Sequence, residues 1–470
     1  MAIMTSETAA KLCEGILYGD PRAEIKSFVT DSRKVTEGAM FVALKGENTD
    51  GNRFLEAAAD AGASCLLGER RSERGNCIVV PDALKALQLM SKKFLDGRRP
   101  KVFAVTGSVG KTTTKEFVYS VISHGFKAQK TIGNYNSIIG LPLTVLDVKE
   151  GCEALVLEMG MSGLHEIETM SEIAKPDVAV ITNIGTSHMQ ILGSQENILK
   201  AKLEITAGMS DGAYLILNGD DRLLWRERGR LKEKYNVLYY AFINEEADYR
   251  ITNPEFHAGG LKFDLRRPDG ITVYGITADT VGMHNVYNAA AAYICGRVSG
   301  MNDTDIKAGI AAFENTGMRQ KVYKKGDYTI LCDCYNAAPE SMKASLSALM
   351  MLVRECSGRT HALLGQMNEL GDNSAAMHRD VGMSAFDLGL NYLYTYGEAA
   401  KEYGVGALIE GMKEDNIICF EDNTPFEEAA RTILDRCLPN DVILFKASRS
   451  VGLERAVEAF EKLIDERNKK

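Results

Sequence analysis

The fold is decided by the stretch Val102-Phe103-Ala104-Val105-Thr106-Gly107-Ser108-Val109-Gly110-Lys111-Thr112-Thr113-Thr114. An apolar run leads into a glycine-rich loop, and the helix-compatible segment 115–122 follows. Glycines let the backbone curl so that several amide N–H groups face one point, and a helix start adds partial positive charge there. In such a loop Lys111 reaches the terminal phosphates of a nucleotide, and the Thr112 hydroxyl ligates Mg²⁺. The stretch therefore predicts a strand, a phosphate loop and a helix that bind a nucleoside triphosphate.

The loop departs from the usual phosphate-loop pattern at one position. The pattern G-x-x-x-x-G-K-[ST] has glycine where this chain has Val105. A glycine-rich turn with a chance lysine is the alternative, but strand, loop, lysine, threonine and helix occur here together. We expect the nucleotide to contact Thr106, Gly107, Ser108, Val109, Gly110, Lys111, Thr112 and Thr113.

Length and composition bound the class of protein. A chain of 470 residues should form about three domains of the usual ~150 residues. Its 45% hydrophobic and 25% charged residues are typical of a globular protein, and its net charge of −9 disfavours a nucleic-acid partner. No apolar run approaches the ~20 residues that cross a bilayer, and residues 1–11 do not resemble a secretory signal. We therefore expect a cytoplasmic protein without a membrane span.

The ten cysteines are scattered along the chain. Cys332 and Cys334 form the only close pair, and nothing downstream completes a zinc-binding pattern. We expect these two to be small buried residues near a strand end. Cysteines in a chain without a secretory signal are typical of the reducing cytoplasm.

Three α/β blocks follow one another. In the first, residues 54–63 read as a helix and 64–67 as a strand, and the polar cluster 96–100 predicts a linker. Short apolar runs followed by polar or glycine residues are typical of parallel sheets with functional loops at the strand ends. Such runs lie at 102–105, 154–157, 178–182, 328–332, 361–364 and 442–445, with helical segments such as 341–354 between them. We predict three α/β domains, 1–98, 99–319 and 320–470, of which the second has a mostly parallel sheet and the third a Rossmann-like sheet.

Glu158 and His188 each follow a predicted strand of the second block. The carboxyl ends of parallel strands meet at one edge, so both side chains should lie beside the phosphate loop. A carboxylate and an imidazole near a triphosphate suit a divalent metal ion. The alternatives are a surface carboxylate for Glu158 and a buried, hydrogen-bonded imidazole for His188. Lys202, taken alone, reads as a solvated lysine on an amphipathic helix.

Polar side chains also follow two strands of the third block. Asp333 comes after the run 328–332, where an acidic residue is placed to hold a ribose hydroxyl, and a turn residue is the competing interpretation. Lys446, Ser448 and Arg449 come after the run 442–445 and suit a carboxylate or a phosphate.

In this order, these residues resemble the Mur ligases of bacterial cell-wall synthesis over essentially the full chain. The matching pieces are the phosphate loop, Glu158, His188, Lys202, Gly282-Met283-His284-Asn285-Val286-Tyr287-Asn288, Arg319 and Asp333. Further segments resemble the UDP-binding N-terminal domain of part of the family: Thr30-Asp31-Ser32-Arg33, Phe41-Val42-Ala43-Leu44 and Asp50-Gly51-Asn52. The resemblance implies an ATP-dependent ligase that forms ADP and phosphate.

Four stretches resemble the members that add D-alanyl-D-alanine to the UDP-N-acetylmuramoyl-tripeptide in peptidoglycan synthesis. They are 106–116 with its Thr-Thr-Thr-Lys-Glu end, Asp333-Cys334-Tyr335-Asn336-Ala337, Gly365-Gln366-Met367-Asn368-Glu369-Leu370-Gly371 with His378 downstream, and Lys446-Ala447-Ser448-Arg449. The Asp-Asn-Pro-Arg motif of the members that install the third residue is missing from the sequence. Gln366, Ala447 and Asn52 stand where the family usually has Asp, Gly and His, and none of them is a phosphate-loop or metal residue.

The resemblance also implies roles for individual residues. Lys111, Glu158, His188 and Lys202 would be catalytic. Two Mg²⁺ ions would be held by Thr112, Glu158, His188 and Lys202, the last as an N-carboxylated side chain. ATP would also contact Asn285, Asn288, Arg319 and Asp333. The UDP-substrate would contact Ser32, Arg33, Asn134, Asn136 and Ser162, and the amine substrate Tyr335, Asn336, Lys446, Ser448 and Arg449.

The implied reaction transfers the γ-phosphoryl group of ATP to the terminal carboxylate of the tripeptide. The amine of D-alanyl-D-alanine then attacks this acyl phosphate, and phosphate leaves. Charge develops on phosphoryl oxygens and then on an oxyanion, so catalysis would consist mainly of positioning and cation binding. ATP would bridge the second and third domains around a hinge near Arg319. We expect a monomer that acts on small-molecule substrates.

Two alternatives stay open from the sequence. One is another ATP-dependent amide ligase of this fold, Mur-type or similar to folylpolyglutamate synthetase, although the latter enzymes lack the domain that carries Ser32 and Arg33. The other is a non-catalytic nucleotide-binding homologue, against which the intact Lys111, Glu158 and His188 argue. The third residue of the tripeptide is open between lysine and a diaminopimelate.

Overall fold

The computed structural model describes residues 2–46, 48–257, 260–315, 317 and 319–468. Positions 1 and 470, the outer ends of the first and last predicted domains, lie outside the described residues. The strands form separate sheets in three consecutive parts of the chain. We refer to these parts as the N-terminal unit (residues 2–98), the central unit (99–315) and the C-terminal unit (321–468).

The N-terminal unit is built on a five-stranded sheet and a separate two-stranded sheet. The seven strands are β1 (Met4–Thr5), β2 (Ile16–Tyr18), β3 (Glu24–Ile25), β4 (Ser27–Val29), β5 (Ala39–Val42), β6 (Cys65–Gly68) and β7 (Cys77–Val79), and the helices are α1 (Ser6–Cys13), α2 (Leu55–Asp60) and α3 (Ala83–Arg98). The strand order is β2-β7-β6-β5-β4, parallel except for β2, and β1 pairs with β3.

Helix α3 overturns the predicted linker at residues 96–100. The Asp82 carboxylate accepts a hydrogen bond from Lys85 N and caps the helix, and buried apolar residues recur along it at helical spacing. The helix continues through Gly97 to Arg98 and ends where Arg99 adopts a left-handed conformation (φ 51°). Gly97 is therefore a helical residue, because burial of one apolar face outweighs its low helix propensity.

The central unit carries the phosphate loop in the middle of a nine-stranded sheet. Its strands are β8 (Lys101–Thr106), β9 (Ala128–Lys130), β10 (Ala154–Glu158), β11 (Val178–Ile181), β12 (Tyr214–Asn218), β13 (Asn236–Ala241), β14 (Tyr249–His257), β15 (Gly260–Arg266) and β16 (Thr272–Ala278). Its helices are α4 (Lys111–Ile122), α5 (Gly140–Leu146), α6 (Glu166–Ala174), α7 (Met189–Leu192), α8 (Gln195–Leu203), α9 (Arg222–Arg226), α10 (Arg228–Lys232), α11 (Met283–Val298) and α12 (Asp303–Ala311). The order is β16-β15-β14-β13-β12-β11-β8-β10-β9, and only the β14-β15 and β15-β16 pairs are antiparallel.

Alternate residues of β8 face two different cores. Phe103 and Val105 pack with α4 and α11 on one face of the sheet. Val102 and Ala104 belong to the core on the other face, which also includes Leu87 of α3. The N-terminal unit is therefore joined to the central unit by shared apolar packing.

The C-terminal unit has a six-stranded sheet. Its strands are β17 (Lys321–Lys325), β18 (Tyr328–Asp333), β19 (Thr360–Gly365), β20 (Tyr392–Tyr396), β21 (Ile417–Phe420) and β22 (Val442–Lys446), and its helices are α13 (Pro339–Cys356), α14 (Ser374–Asp387), α15 (Lys401–Glu410), α16 (Phe426–Arg436) and α17 (Glu454–Arg467). The order is β17-β18-β22-β19-β20-β21, parallel except for β17. Asp333 and Lys446 end neighbouring strands in register.

These sheets confirm the predicted α/β fold with mostly parallel central and C-terminal sheets. Cys332 and Cys334 lie at the end of β18 and are buried, as expected from the sequence. Within the described ranges, no helix combines the length and the apolar content needed to cross a membrane.

Candidate active site

Two glycines give the phosphate loop its path between β8 and α4. Gly107 has φ +147°, and a Cβ atom there would overlap the Thr182 hydroxyl. Gly110 has φ +86° and precedes the first residue of α4. Side chains rarely allow this part of the φ range, so both positions favour glycine. The predicted strand, loop and helix are confirmed, and the helix begins at Lys111.

Residues after β11 hold the loop in place. Val109 N donates to Oδ1 of Asn183 at 2.9 Å, and the Thr182 hydroxyl donates to the Val109 carbonyl at 2.6 Å. Gly185 N donates to the Ser108 hydroxyl at 2.9 Å. Asn183 was not among the predicted site residues, although it directly follows a predicted strand, as Glu158 does.

Lys111 lies folded back over the loop. Its Nζ donates to the carbonyls of Gly107 at 2.8 Å and Ser108 at 3.2 Å. Burial lowers the pKa of the Lys111 ammonium from its usual range, and the charge of Glu158 partly opposes this shift. The loop thus carries a cation beside the start of α4, where anionic phosphates are favoured.

Thr112 and Glu158 meet beneath the loop. The Thr112 hydroxyl donates to Oε2 of Glu158 at 2.7 Å, and Nδ2 of Asn136 donates to Oε1 at 2.7 Å. Glu158 is only 2% exposed, so its interpretation as a surface carboxylate is wrong. The backbone N of Glu158 donates to the Thr131 hydroxyl at 3.0 Å, which fixes the start of the turn that carries Asn136. A hydroxyl and a carboxylate converging at a phosphate loop are the oxygen ligands that Mg²⁺ prefers.

His188 reaches across to the C-terminal unit. Its Nδ1 lies 2.9 Å from Oε2 of Glu369, and its side chain is 20% exposed. The hydrogen bond with His188 lowers the pKa of the Glu369 carboxyl. His188 is therefore hydrogen-bonded, as one interpretation expected, and it also borders the cavity described below.

Lys202 is fully buried on α8, so its interpretation as a solvated lysine is wrong. Its Nζ finds no hydrogen-bond partner in the described part of the chain. Burial, assisted by the charge of Lys111, lowers the pKa of the Lys202 amine well below its usual range. A buried, unpartnered amine that is readily neutral is the form that reacts with CO₂ to give a carbamate, so the residue fits N-carboxylation.

Asn285 and Asn288 form a chain of side-chain hydrogen bonds on the buried side of α11. Nδ2 of Asn288 donates to Oδ1 of Asn285 at 3.0 Å, and Oδ1 of Asn288 accepts a bond from the Thr114 hydroxyl at 2.9 Å. Nδ2 of Asn285 donates to Oε1 of Gln320 at 3.0 Å. Gln320 is a residue that the sequence analysis missed, and it connects α11 to the segment that leads into the C-terminal unit.

On the C-terminal side, Asp333 and Lys446 form a buried pair. Lys446 Nζ lies 2.6 Å from Oδ2 of Asp333 and 2.9 Å from the Asn336 carbonyl, and the Ser345 hydroxyl donates to the same Asp333 oxygen at 2.7 Å. Burial alone would raise the pKa of the Asp333 carboxyl, but the Lys446 ammonium lowers it below the usual range. The Arg319 guanidinium lies 3.9 Å above the Tyr335 ring and completes this wall.

A cavity of about 310 Å³ joins the two walls. The predicted site residues that line it are Ser108, Val109, Gly110, Lys111, Thr112, Thr113, Asn134, Asn136, Glu158, Ser162, His188, Asn288, Arg319, Asp333, Tyr335, Asn336 and Lys446. Glu166, His284, Asn315, Gln320 and Ser345 also line it and were not identified from the sequence. Loops from the central and C-terminal units thus border one common cavity.

The other predicted site residues do not border this cavity. Four of them are buried in the protein interior: Thr106, Gly107, Lys202 and Asn285. Ser448 accepts a hydrogen bond from Asn368 N at 3.0 Å, and Arg449 lies 3.1 Å from Glu454. Ser32 and Arg33 lie in a 3₁₀ turn of the N-terminal unit, where the Arg33 guanidinium pairs with Asp31 at 2.9 Å.

A second cavity of about 580 Å³ is lined by residues of both the N-terminal and the central unit. Ile3, Ser27 and Phe28 line one side of it. The turn 132–135 lines the other side, and Gly133 and Asn134 of this turn border the first cavity as well.

Comparison with known proteins adds an independent line of evidence. Residues 24–94, 105–296 and 318–449 match family models described as "Mur ligase family, catalytic domain", "Mur ligase middle domain" and "Mur ligase, glutamate ligase domain". The UDP-N-acetylmuramoyl-tripeptide--D-alanyl-D-alanine ligase of Bacillus subtilis (strain 168) is 36% identical to this chain and covers 97% of both chains.

Solved structures agree with these matches. A crystal structure of MurF from Acinetobacter baumannii is similar with a TM-score of 0.88 and 28% identity, and covers 97% of this chain and 98% of its own. MurF ligase from Thermotoga maritima in complex with ADP gives a TM-score of 0.82 at 31% identity, with coverage of 94% and 98%. The phosphate loop, the buried Glu158 and the full-length similarity together show that this chain belongs to the Mur ligase family.

Proposed function

We infer that this chain is an ATP-dependent ligase that joins D-alanyl-D-alanine to UDP-N-acetylmuramoyl-tripeptide, with release of ADP and phosphate, in peptidoglycan precursor synthesis. The observation that carries this inference is the 36% identity over 97% of both chains to a ligase of this name. The first cavity supports it, because the phosphate loop and the Asp333–Lys446 pair of the C-terminal unit both line it.

The chain's own residues account for activation of a carboxylate. Lys111 would hold the β- and γ-phosphates of ATP, and the amides of the phosphate loop would orient them for in-line transfer to the tripeptide carboxylate. Thr112 and Glu158 would hold one Mg²⁺ and His188 a second, and bound Mg²⁺ neutralises charge that develops on phosphoryl oxygens. The 2.7 Å Thr112–Glu158 contact supports the first assignment.

We also propose that Lys202 carries a carbamate. The neutral amine would attack CO₂, form an N–C bond and release a proton, which turns a potential cation into a carboxylate-like anion. Lys202 is completely buried, and its Nζ has no hydrogen-bond partner among the residues that the structure describes. Both observations support this assignment, because an amine without a partner costs free energy to bury. The resulting anion would complement the metal site.

Different units would bind different substrates. We assign the ribose to Asp333 and the adenine and phosphates to Asn288 and Arg319, and Asn285 would complete the ATP site through its hydrogen bond with Asn288. Tyr335, Asn336, Lys446, Ser448 and Arg449 would bind the amine substrate, and Ser32, Arg33, Asn134, Asn136 and Ser162 the UDP-substrate. The second cavity supports an approach of the sugar nucleotide from the side of the N-terminal unit, since Asn134 borders both cavities.

We propose domain boundaries after residues 98 and 319, consistent with the separate sheets and with the matched ranges 24–94, 105–296 and 318–449. We further propose a monomer that works in the cytoplasm, where ATP and nucleotide-linked precursors occur together. Closure would occur around Arg319, because the two walls of the cavity come from different units. Small-angle scattering that shows no compaction with ATP and UDP-substrate would contradict the hinge.

The decisive experiment is a phosphate-release assay with purified protein, ATP and Mg²⁺. Phosphate should appear only when both UDP-N-acetylmuramoyl-tripeptide and D-alanyl-D-alanine are present, and mass spectrometry should show the pentapeptide product. Separate assays with lysine- and diaminopimelate-containing tripeptides identify the preferred substrate. Release with glutamate and a folate, or no release under any condition, would overturn the proposed function.

A further inference from the structure

The contact between His188 and Glu369 joins a proposed metal ligand to a residue without an assigned role. Nδ1 of His188 lies 2.9 Å from Oε2 of Glu369. His188 belongs to the central unit, whereas Glu369 lies between β19 and α14 of the C-terminal unit. The two residues are therefore brought together only by the packing of one unit on the other.

This contact determines which ring nitrogen of His188 is available. An ionised carboxylate can only accept hydrogen bonds, so Nδ1 must carry the proton that is donated to Glu369. In the neutral ring the lone pair then resides on Nε2. Histidines that bind metals commonly donate their other N–H to a carboxylate, which fixes the tautomer and the ring orientation.

The backbone conformation of both residues is unusual. His188 and Glu369 both adopt left-handed conformations, with φ of 65° and 64°, which residues other than glycine rarely do. Such conformations persist where the surroundings fix them, and they concentrate at functional sites. Each partner is thus presented by a defined turn.

A second carboxylate of the C-terminal unit holds the same loop. Oε1 of Glu340 accepts hydrogen bonds from Thr186 N at 2.9 Å and from the Thr186 hydroxyl at 3.1 Å. Glu340 lies in the first turn of α13, two residues after Ala338, whose backbone N donates to the Ser341 hydroxyl at 2.9 Å. The loop that presents His188 is therefore held at two points by the C-terminal unit.

We propose that Glu369 is a positioning residue: the C-terminal unit brings its carboxylate to His188, where it fixes the Nδ1–H tautomer and leaves Nε2 available to the reaction cavity. The histidine is then ready for its role only when the two units are packed together. Hydrolysis of ATP would therefore be suppressed while the C-terminal unit is not packed against the central unit. The kinetic part of this inference rests on the proposed ligase activity, and the tautomer does not.

The tautomer can be read directly. Two-bond ¹⁵N–¹H correlation spectra of ¹⁵N-histidine-labelled protein distinguish the two neutral tautomers, and the chain has only seven histidines. The spectra are recorded at pH 8.5, above the ordinary imidazole pKa of about 6.5. His188→Gln identifies the signal. We expect the Nδ1–H form in the native chain and loss of this preference in Glu369→Ala, with Glu428→Ala, an exposed carboxylate of the same unit, as control.

Kinetics test the consequence. Glu369→Ala should lower kcat by about 10–100-fold, as loss of outer-shell partners typically does, while KM for ATP changes less than about twofold. The side chain is 56% exposed, so the variant should fold. An unchanged tautomer in Glu369→Ala, or a kcat equal to that of Glu428→Ala, would overturn the inference. A native chain without ligase turnover would overturn the proposed function, and the spectra alone would then decide the role of Glu369.

Discussion

The Thr112 hydroxyl donates a 2.7 Å hydrogen bond to Oε2 of Glu158, although 46 positions separate the two residues in the sequence. The contact joins the first turn of α4 to the end of β10 and lies directly beneath the phosphate loop. Both groups are nearly buried, so a divalent cation placed between them would find two oxygen ligands with little competing water.

Replacement of the Glu158 carboxylate should weaken Mg²⁺ binding while the protein still folds. Glu158→Gln keeps the shape of the side chain but removes its charge, so kcat should fall by about 10²–10³-fold, or about 3–4 kcal/mol. The Mg²⁺ concentration for half-maximal phosphate release should rise. Glu150→Gln, an exposed carboxylate of the same unit, should leave both values unchanged. An unaltered Mg²⁺ dependence in Glu158→Gln would argue against this metal site.

Lys202 offers a test by chemical rescue. Lys202→Ala removes the carbamate but leaves space beside α8, so the variant should be nearly inactive and should regain part of its activity with added short carboxylates such as acetate or formate. Rates are measured by phosphate release at fixed ionic strength, with chloride as the control anion. Full activity of Lys202→Ala without additives would exclude the carbamate.

The lowered pKa of Lys202 also predicts a pH-dependent stability. Between its folded pKa and its unfolded value of about 10.4, the unfolded chain binds more protons, so the stability of the native chain rises with pH. Lys202→Met lacks this dependence. In CO₂-free buffer it should be more stable than the native chain near pH 7, and the difference should shrink as pH approaches 10.4.

Urea unfolding at several pH values measures this effect. The exposed neighbour on α8 provides the control, since Lys200→Met should change stability by only a few tenths of a kcal/mol, independently of pH. A constant difference between Lys202→Met and the native chain across this range would show that Lys202 is charged in the folded protein.

Loss of one partner of the Asp333–Lys446 pair should destabilise the protein much more than replacement of both partners by apolar residues. Asp333→Ala leaves a buried ammonium without its partner, so the free energy of unfolding should fall by about 3–5 kcal/mol. The double variant Asp333→Leu/Lys446→Met should recover most of this loss but not ATP affinity. Asp465→Ala breaks the more exposed Lys325–Asp465 pair of the same unit and should cost less than about 1 kcal/mol. A comparable loss in both single variants would contradict the argument.

Alanine should lower stability at Gly107, which has a positive φ, and raise it at Gly97, which lies within a helix. Gly107→Ala introduces overlap with the Thr182 hydroxyl and an unfavourable φ, so stability should fall by about 2–4 kcal/mol and ATP affinity at least tenfold. Gly97→Ala lies in α3 with open space around the new methyl group, and should raise stability by about 0.5–1 kcal/mol. Calorimetry and ATP titration measure the two effects.

Much of the site was predictable because parallel strands deliver their carboxyl ends to one edge. Glu158, Asp333 and Lys446 each follow an apolar run, and all three line one cavity. The burial of Lys202 was also accessible in principle. Lys200 and Lys202 are two positions apart, about 200° around a helix, so they cannot both face solvent from one side.

Other parts of the site depend on contacts between residues that are far apart in the sequence, and a local sequence pattern does not show such contacts. Gln320 contributes through its contact with Asn285, and Glu369 through its contact with His188. Although Glu369 lies in the quoted stretch 365–371, the sequence does not show which distant residue either side chain contacts. The same holds for the buried Asp441, which accepts bonds from Arg359 N at 2.7 Å and from Nε2 of His361 at 2.9 Å at the opposite edge of the C-terminal sheet. Such clusters stabilise the sheet without leaving a motif.

The turn that contains Gly133 and Asn134 borders both cavities, and this shared wall has a thermodynamic consequence. A ligand that shifts this turn from the side of the second cavity would also change the wall of the first. Linkage then requires reciprocity: the factor by which one ligand alters the affinity for the other must be the same in both directions. An inhibitor that fills only the second cavity and shifts this turn would therefore alter nucleotide affinity without touching the nucleotide.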